Sequence, residues 1–163
     1  ADGLTPTNLG YLFTKRERII PATPKGILTL LDAYDVPLPG AVATVVGKGW
    51  LTGAPLAALL SHRGATVISC DSKTRDLAKH TRAADIVVAA AGQPGLITAP
   101  MIKPGAVVID VGVTKLKTRL SGDVDFDRVA KKAKLVTPVP GGVGPMTVAS
   151  LLENIFELSR LDS

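Results

Sequence analysis

The sequence predicts an α/β fold: a doubly wound, mostly parallel sheet with helices on both faces. Two observations carry this. Short β-branched runs alternate along the chain with segments of helical periodicity, the order expected of successive βαβ units. The strand segments, AVATVVG, TVISC, IVVAA, AVVIDVG and LVTPV, are near-continuous apolar runs and lack apolar–polar alternation. Strands of that kind are buried on both faces, as in a parallel sheet covered on each side. At 163 residues the chain is long enough for one such sheet and its helical layers.

Taken in order, residues 1–23 read as irregular and rich in turn formers. Thr23-Pro24 predicts a helix start, with Thr as N-cap and Pro at the first helical position. Ile27, Leu30, Leu31 and Tyr34 then fall on one face, and Pro37 and Pro39-Gly40 stop the helix. The strands are separated by the helical segments GAPLAALLSHRG, DLAKHTRAAD and DFDRVAKKAK and by a turn-like TAPMIKPG. PMTVASLLENIFELSRL closes the chain as a long amphipathic helix. The SGDVD segment suits a short edge strand or hairpin.

Composition narrows the function. The chain is 46% hydrophobic and 20% charged, the balance of a soluble globular protein. Its apolar runs are too short and interrupted to span a bilayer as helices, so no membrane partner is expected. The opening ADGLTPTNLG has neither the basic nor the apolar part of a signal peptide, and it lacks an initiator Met; a processed, cut or fragmentary chain is expected. A single cysteine, Cys70, allows no internal disulfide and favours a reducing, cytoplasmic location. At the end of an apolar run it reads as a small buried hydrophobe. Net charge +5 suits an anionic ligand. Aromatic residues are 4% of the chain and are not interleaved with basic ones on a helix, which argues against nucleic acid. His62 and His80 read as solvent-facing, and Lys131, Lys132 and Lys134 as a solvated helix face. No His/Cys spacing suggests a metal, and no Ser/His/Asp set suggests nucleophilic catalysis.

Ligands of such sheets sit beyond the carboxyl ends of the strands. There the sequence reads GKGWLTG, CDSKT, AAGQPG, DVGVTK and TPVPGGVG. Glycine lets a backbone approach a ligand closely. The first loop, VVGKGWLTGAP, follows a strand and opens a helix, the context of a dinucleotide loop, although its G-x-G-x-x-x-G spacing is one residue longer than usual. Gly47 would make the tight turn and Gly49 would admit a pyrophosphate. The helix start near Gly53 would offer free N–H groups to it. A glycine-rich turn without a ligand is the bland alternative. Trp50 either packs on the turn or contacts the ligand. Asp71 stands roughly 20 residues beyond Gly49, where an acid binds the ribose hydroxyls of NAD. Ser72, Lys73, Arg75 and Lys48 suit the 2′-phosphate of NADP instead, and a helix cap near Thr74 is a third role for Asp71. The stretch Pro138–Thr147 is a rigid, sterically open loop, with Pro145 placed to start the last helix.

Together these loops resemble the bifunctional methylenetetrahydrofolate dehydrogenase/methenyltetrahydrofolate cyclohydrolase family. Similar motifs occur in order over nearly the whole chain: Asp2-Gly3-Leu4 with Asn8 and Gly10, PATPKG from Pro21, GKGWLTGAP, Ser72-Lys73-Thr74, Asp85-Ile86-Val87, Lys103-Pro104-Gly105, VIDVG from Val108, Gly122-Asp123-Val124 and TPVPGGVGPMT from Thr137. The last is the most specific. The resemblance implies a two-domain enzyme of one-carbon metabolism and purine biosynthesis, usually a homodimer. Its N-terminal domain carries a Tyr-x-x-x-Lys motif and most of the folate site, and its Rossmann-type domain binds NADP. This chain resembles the second: residues 1–23 as the linker leading in, 24–163 as the NAD(P)-binding domain, and the last helix, about 145–161, returning toward the first. No catalytic residue is expected within it.

Carried over residue by residue, Gly47, Lys48 and Gly49 match the Gly-Arg-Ser that holds the cofactor phosphates. Ser72 matches a serine near the adenosine phosphate, and Val113 an aliphatic residue at the nicotinamide. Asp2 matches the aspartate on the pterin. Pro140, Gly141, Gly142, Val143, Gly144, Pro145, Met146 and Thr147 match the segment closing over the folate. Three departures bear on the cofactor. Lys48 replaces an Arg and loses its planar fork, Gly49 replaces a Ser and its hydroxyl, and Asp71 stands where His is common. NADP is the expected cofactor, with NAD possible. The alternative is a standalone dinucleotide-binding or regulatory module without catalysis.

Overall fold

The protein is described by a computed structural model covering residues 1–117 and 120–161. Two helices open the chain, α1 (Pro6–Phe13) and α2 (Ala22–Ala33). Strands and helices then alternate: β1 (Val42–Val46), α3 (Gly53–His62), β2 (Thr66–Cys70), α4 (Leu77–Ala83) and β3 (Ile86–Ala89). A 3₁₀ turn at Ala99–Met101 precedes β4 (Val107–Asp110). A hairpin of β5 (Thr114–Lys115) and β6 (Leu120–Ser121) follows, then α5 (Phe126–Val129), β7 (Leu135–Val136) and α6 (Val143–Leu161).

Five strands form one sheet in the order β2-β1-β3-β4-β7, each neighbouring pair parallel. Side chains alternate across it. Val45, Ile86, Val88, Val107 and Ile109 join one apolar cluster, with Leu12 of α1, Ile27 and Leu31 of α2, and Leu56 and Leu60 of α3. Val46, Val87, Ala89 and Val108 join the other, with Ile97, Ile102, Val124 and Val129. The predicted doubly wound class is therefore the observed one. The central strands β3 and β4 are buried at every residue, but edge strand β2 exposes Thr66 and Ser69, because among the described residues no strand pairs beyond it.

Several local expectations are corrected. Residues 1–23 are not wholly irregular: α1 lies within them, Thr5 accepts from Asn8 N–H at its start, and Leu12 is 0% exposed in the core. A single buried leucine in eight residues left no periodicity to read. The second helix begins at Ala22, so Thr23 is not its N-cap; the carboxylate of Asp2 accepts from Ala22 N–H instead. The helix predicted at DFDRVAKKAK is one turn, Phe126–Val129. Lys132 does not extend a solvated face but donates to the Ala99 carbonyl at 2.9 Å. The last helix starts at Val143, which puts Pro145 in its first turn, where no intrahelical donor is lost. His62 is partly buried and pairs with Glu17 at 3.0 Å, and His80 is partly buried too. Cys70 is fully buried, and burial pushes its thiol up.

Two of the quoted motifs hold the opposite edge of the sheet. Asp85 accepts from Val42 N–H at 2.7 Å and pairs with Lys103, so both residues brace the amino ends of the strands.

Candidate functional site

The site begins with the order of the strands. β2 lies on one side of β1 and β3 on the other, so the winding reverses at β1. A crevice opens beyond the carboxyl ends at such a reversal. The loops after β1 and β3 meet there. Gly47 has φ +115°, and a Cβ on it would stand 2.1 Å from the Ala90 carbonyl oxygen. A Cβ on Gly53 would stand 1.8 Å from the Gly47 carbonyl oxygen. Both glycines are needed to fold the loop onto its own helix. Gly49 differs: nothing lies within 4 Å of its missing Cβ, so its backbone faces open space.

That space is a cleft of about 350 Å³ walled by Gly49, Trp50, Thr52, Ala90, Gly92 and Val113 among others. Gly49, Gly53, Gly92 and Gly112 line it without side chains, and Trp50 and Val113 are each 61% exposed. Trp50 is therefore not packing beneath the turn. Helix α3 aims its N-terminus from this loop, and its N-cap Thr52 makes no side-chain capping bond. Within that first turn Ala54 N–H donates to the Gly49 carbonyl at 3.0 Å, Leu56 N–H donates to the Thr52 carbonyl at 2.9 Å and Pro55 has no N–H, so Gly53 N–H and the positive end of the helix are what a phosphate would meet. A backbone cradle that a Cβ at Gly49 would fill, beside an uncapped helix start, fits a dinucleotide.

At the β2 end, Gly47 N–H donates to the Cys70 carbonyl at 2.8 Å, which sets the two loops side by side. Lys48 Nζ lies 3.1 Å from Asp71 Oδ2. Asp71 Oδ1 accepts from Lys73 N–H at 3.0 Å and from the Thr74 hydroxyl at 3.3 Å. The Lys48 ammonium, then the Lys73 N–H, hold the Asp71 carboxyl below the usual carboxylate range. Asp71 does not cap α4; Asp76 does, accepting from Lys79 N–H at 3.2 Å. Ser72 is exposed beside it.

Two acids that were quoted within motifs but given no role organise the other side. Asp110, 3% exposed, accepts from the N–H groups of Gly112, Asp123 and Val124. Asp123, 0% exposed, accepts from Ala91 N–H at 2.7 Å and Gly92 N–H at 2.8 Å through Oδ2. Its Oδ1 is buried with no hydrogen-bond partner among the described residues. The pair ties the loops after β3 and β4 to the GDV turn, and so shapes the wall of the cleft. An acid ending the apolar run VVID was the signal that could have drawn attention to it.

The proposed folate residues gather elsewhere along the row of strand ends, on the β4–β7 side. Asp2 is exposed and sits on the start of α2. The Thr147 hydroxyl donates to Thr23 Oγ1 at 3.1 Å, and Met146 packs where Gly26 has no side chain. This places Asp2 and Thr147 at the same helix end. Pro140 follows a cis peptide bond and lines a hollow of about 620 Å³ with Asp110, Ser121 and Gly122. Gly141, Gly142, Pro145 and Met146 edge a separate, apolar hollow of about 250 Å³. Val143 is buried in the core, and Gly144 has open space at its missing Cβ. The structure thus brings the Gly47–Gly49 loop beside Asp71 and Ser72, and Val113 lines the same cleft as Gly49.

Residues 21–162 match the family described as tetrahydrofolate dehydrogenase/cyclohydrolase, NAD(P)-binding domain. The chain belongs to that family. It is 52% identical over 154 residues to the bifunctional protein FolD of Nitrosospira multiformis, covering 94% of this chain and 54% of that protein. Among solved structures it is similar to the N5,N10-methylenetetrahydrofolate dehydrogenase-cyclohydrolase of Trypanosoma brucei, complexed with NADP cofactor and inhibitor. There the TM-score is 0.93 at 44% identity, over 99% of this chain and 58% of that one. The NAD-dependent 5,10-methylenetetrahydrofolate dehydrogenase of Saccharomyces cerevisiae is also similar, with TM-score 0.82 at 25% identity, over 98% and 61% of the two chains. The chain spans about half the length of the curated relatives it matches. Among the described residues no helix is long and apolar enough to cross a membrane.

Proposed function

We propose that this chain is the cofactor-binding part of an NADP-dependent 5,10-methylenetetrahydrofolate dehydrogenase/5,10-methenyltetrahydrofolate cyclohydrolase. The observation that carries this is the Gly47–Gly53 loop, set at the β1/β3 reversal of a chain from that family. When bound, the nicotinamide would accept a hydride from the one-carbon bridge of the folate. The chain's own residues orient and shelter. Gly53 N–H and the positive end of α3 would face the pyrophosphate, Lys48 and Ser72 would face the adenosine phosphate, and Val113 would bound the nicotinamide. Asp2 would hold the pterin, with Pro140–Thr147 closing over it. Holding two rings in register is where such a domain gains its rate.

The lysine that would serve the cyclohydrolase step belongs to a domain upstream, and α6 supports such a neighbour. Its Ser150 and Asn154 are buried toward α2, Asn154 bonding Lys25 and the Ile20 carbonyl. Its other face exposes Val148, Leu152, Ile155 and Phe156 in one stripe, 49–63% exposed. Residues 1–23 would be the linker and 24–163 the domain proper. A homodimer in the cytoplasm fits the family resemblance and the lone, buried cysteine. Because Leu152 is on the open face, Leu152→Asp is expected to change the stability of this chain by less than about 0.5 kcal/mol in urea unfolding.

The function is tested with Trp50, the single tryptophan. NADP added to the 163-residue chain is expected to perturb its fluorescence saturably. Hydride transfer from methylenetetrahydrofolate should be slow or undetectable until the upstream domain is supplied. Failure of both NADP and NAD to bind would overturn the cofactor role, and full turnover by this chain alone would overturn the need for an upstream lysine.

A further inference from the structure

We propose that Asp71 is a specificity-determining residue: paired with Lys48, it opposes the 2′-phosphate that Lys48 attracts, and the domain therefore accepts NAD alongside NADP. The inference rests on the nucleotide-binding reading above and concerns the ribose end of that same site.

Position comes first. Asp71 directly follows β2, whose end is tied to the glycine loop by the Gly47–Cys70 hydrogen bond. An acid there can accept from a ribose 2′-hydroxyl, whereas a phosphate at the same place meets a like charge. The carboxylate is also held in place. One oxygen accepts from Lys73 N–H and the Thr74 hydroxyl, and the other faces Lys48 at 3.1 Å. Helix capping does not explain it, since Asp76 caps α4.

Charge comes second. A lysine is a compact point charge, and unlike arginine it cannot fork to two anions in a plane. NADP would draw Lys48 away from Asp71 and leave a carboxylate beside a near-dianionic phosphate. Ser72, Lys73 and Arg75 are exposed on the same turn and supply solvent-screened compensation, while Gly49 brings no hydroxyl. NAD leaves the Lys48–Asp71 pair intact and adds a hydroxyl donor to Asp71. The two cofactors are therefore brought close in affinity. The scaffold is compatible with either: the Saccharomyces cerevisiae relative is NAD-dependent.

The test is titration of the 163-residue chain with NADP and with NAD, for wild type, Asp71→Asn, Asp71→Ser and Lys48→Met. Asn and Ser both keep an acceptor for Lys73 N–H, so the turn is retained without the charge. Wild type is expected to bind the two nucleotides within about tenfold of each other. Both Asp71 variants should shift the ratio toward NADP by about tenfold or more, the scale of one charge–charge contact of about 1.4 kcal/mol. Lys48→Met should weaken NADP more than NAD and so move the ratio toward NAD. If wild type and both Asp71 variants bind both nucleotides with the same ratio, the assignment to Asp71 is overturned while the nucleotide site stands. If wild type binds neither, the site itself is wrong.

Discussion

Replacing Gly47 by alanine is expected to destabilise the chain by about 3 kcal/mol, combining roughly 1–3 kcal/mol of backbone strain with roughly 1–3 kcal/mol of overpacking. Gly47 has φ +115°, a conformation L-residues rarely adopt, and its new Cβ would meet the Ala90 carbonyl oxygen at 2.1 Å and the carbon at 2.6 Å. Both clashing atoms are backbone of the loop after β3, so no side chain can swing aside. For a domain of this size the loss corresponds to roughly 10 °C in Tm. Gly49→Ala is the matched comparison. Its Cβ has nothing within 4 Å, so stability should change by less than about 0.5 kcal/mol, while nucleotide affinity falls because the added methyl group occupies the cradle. Thermal unfolding and nucleotide titration of the two variants separate these roles. If Gly49→Ala binds as wild type does, Gly49 does not face the ligand.

The second large effect is expected at Asp123. Asp123→Ala removes the charged acceptor of two part-buried hydrogen bonds, from the Ala91 and Gly92 N–H groups, at a cost of about 3 kcal/mol. Because Ala90 and Gly92 wall the cleft, nucleotide affinity should fall as well. Asp123→Asn keeps one acceptor oxygen and should cost much less. It should also alter the pH dependence. Burial pushes the Asp110 carboxyl up, three backbone N–H donors pull it back, and the Asp123 charge pushes it up again. A carboxyl raised in the folded state contributes stability that is full below its unfolded pKa, about 3.9, and is lost as pH rises through the folded value. Removing the Asp123 charge removes one of the upward pushes, so the decline in stability above about pH 4 should be shallower in Asp123→Asn. Urea unfolding across that range measures it. An equal decline in both proteins would show that the two carboxyls are not coupled.

The parts of the site legible beforehand were those with a local cause. GKGWLTG is recognisable because a strand must turn into a helix within a few residues, and only glycine permits the turn at Gly47 and the contact at Gly53. The apolar runs IVVA and VVID declare two-sided burial by their composition. Three features were not legible, because each depends on residues far apart in the chain. Asp123 lies 0% exposed beneath a loop some thirty residues earlier, and nothing near it in sequence marks it as buried. The α6 stripe has the periodicity of a core face, yet periodicity cannot say which apolar face this domain covers. Residues 1–23 lack a pattern because α1 contributes only Leu12 fully to the core.

The sequence by itself determined the α/β class, the alternation of elements and the glycine loop, since these follow from burial periodicity and from backbone conformations that few residues adopt. It also carried the family, through motifs spread in order from Asp2 to Thr147. Only the tertiary structure decided what stands beside that loop. The reversal at β1 brings Ala90 against Gly47, and the parallel pairing of β1 with β2 brings Asp71 to Lys48. The physical reason is that a charge acts through distance in space. The sequence separation between Lys48 and Asp71 left two cofactors open, and the 3.1 Å between their side chains makes them one ion pair.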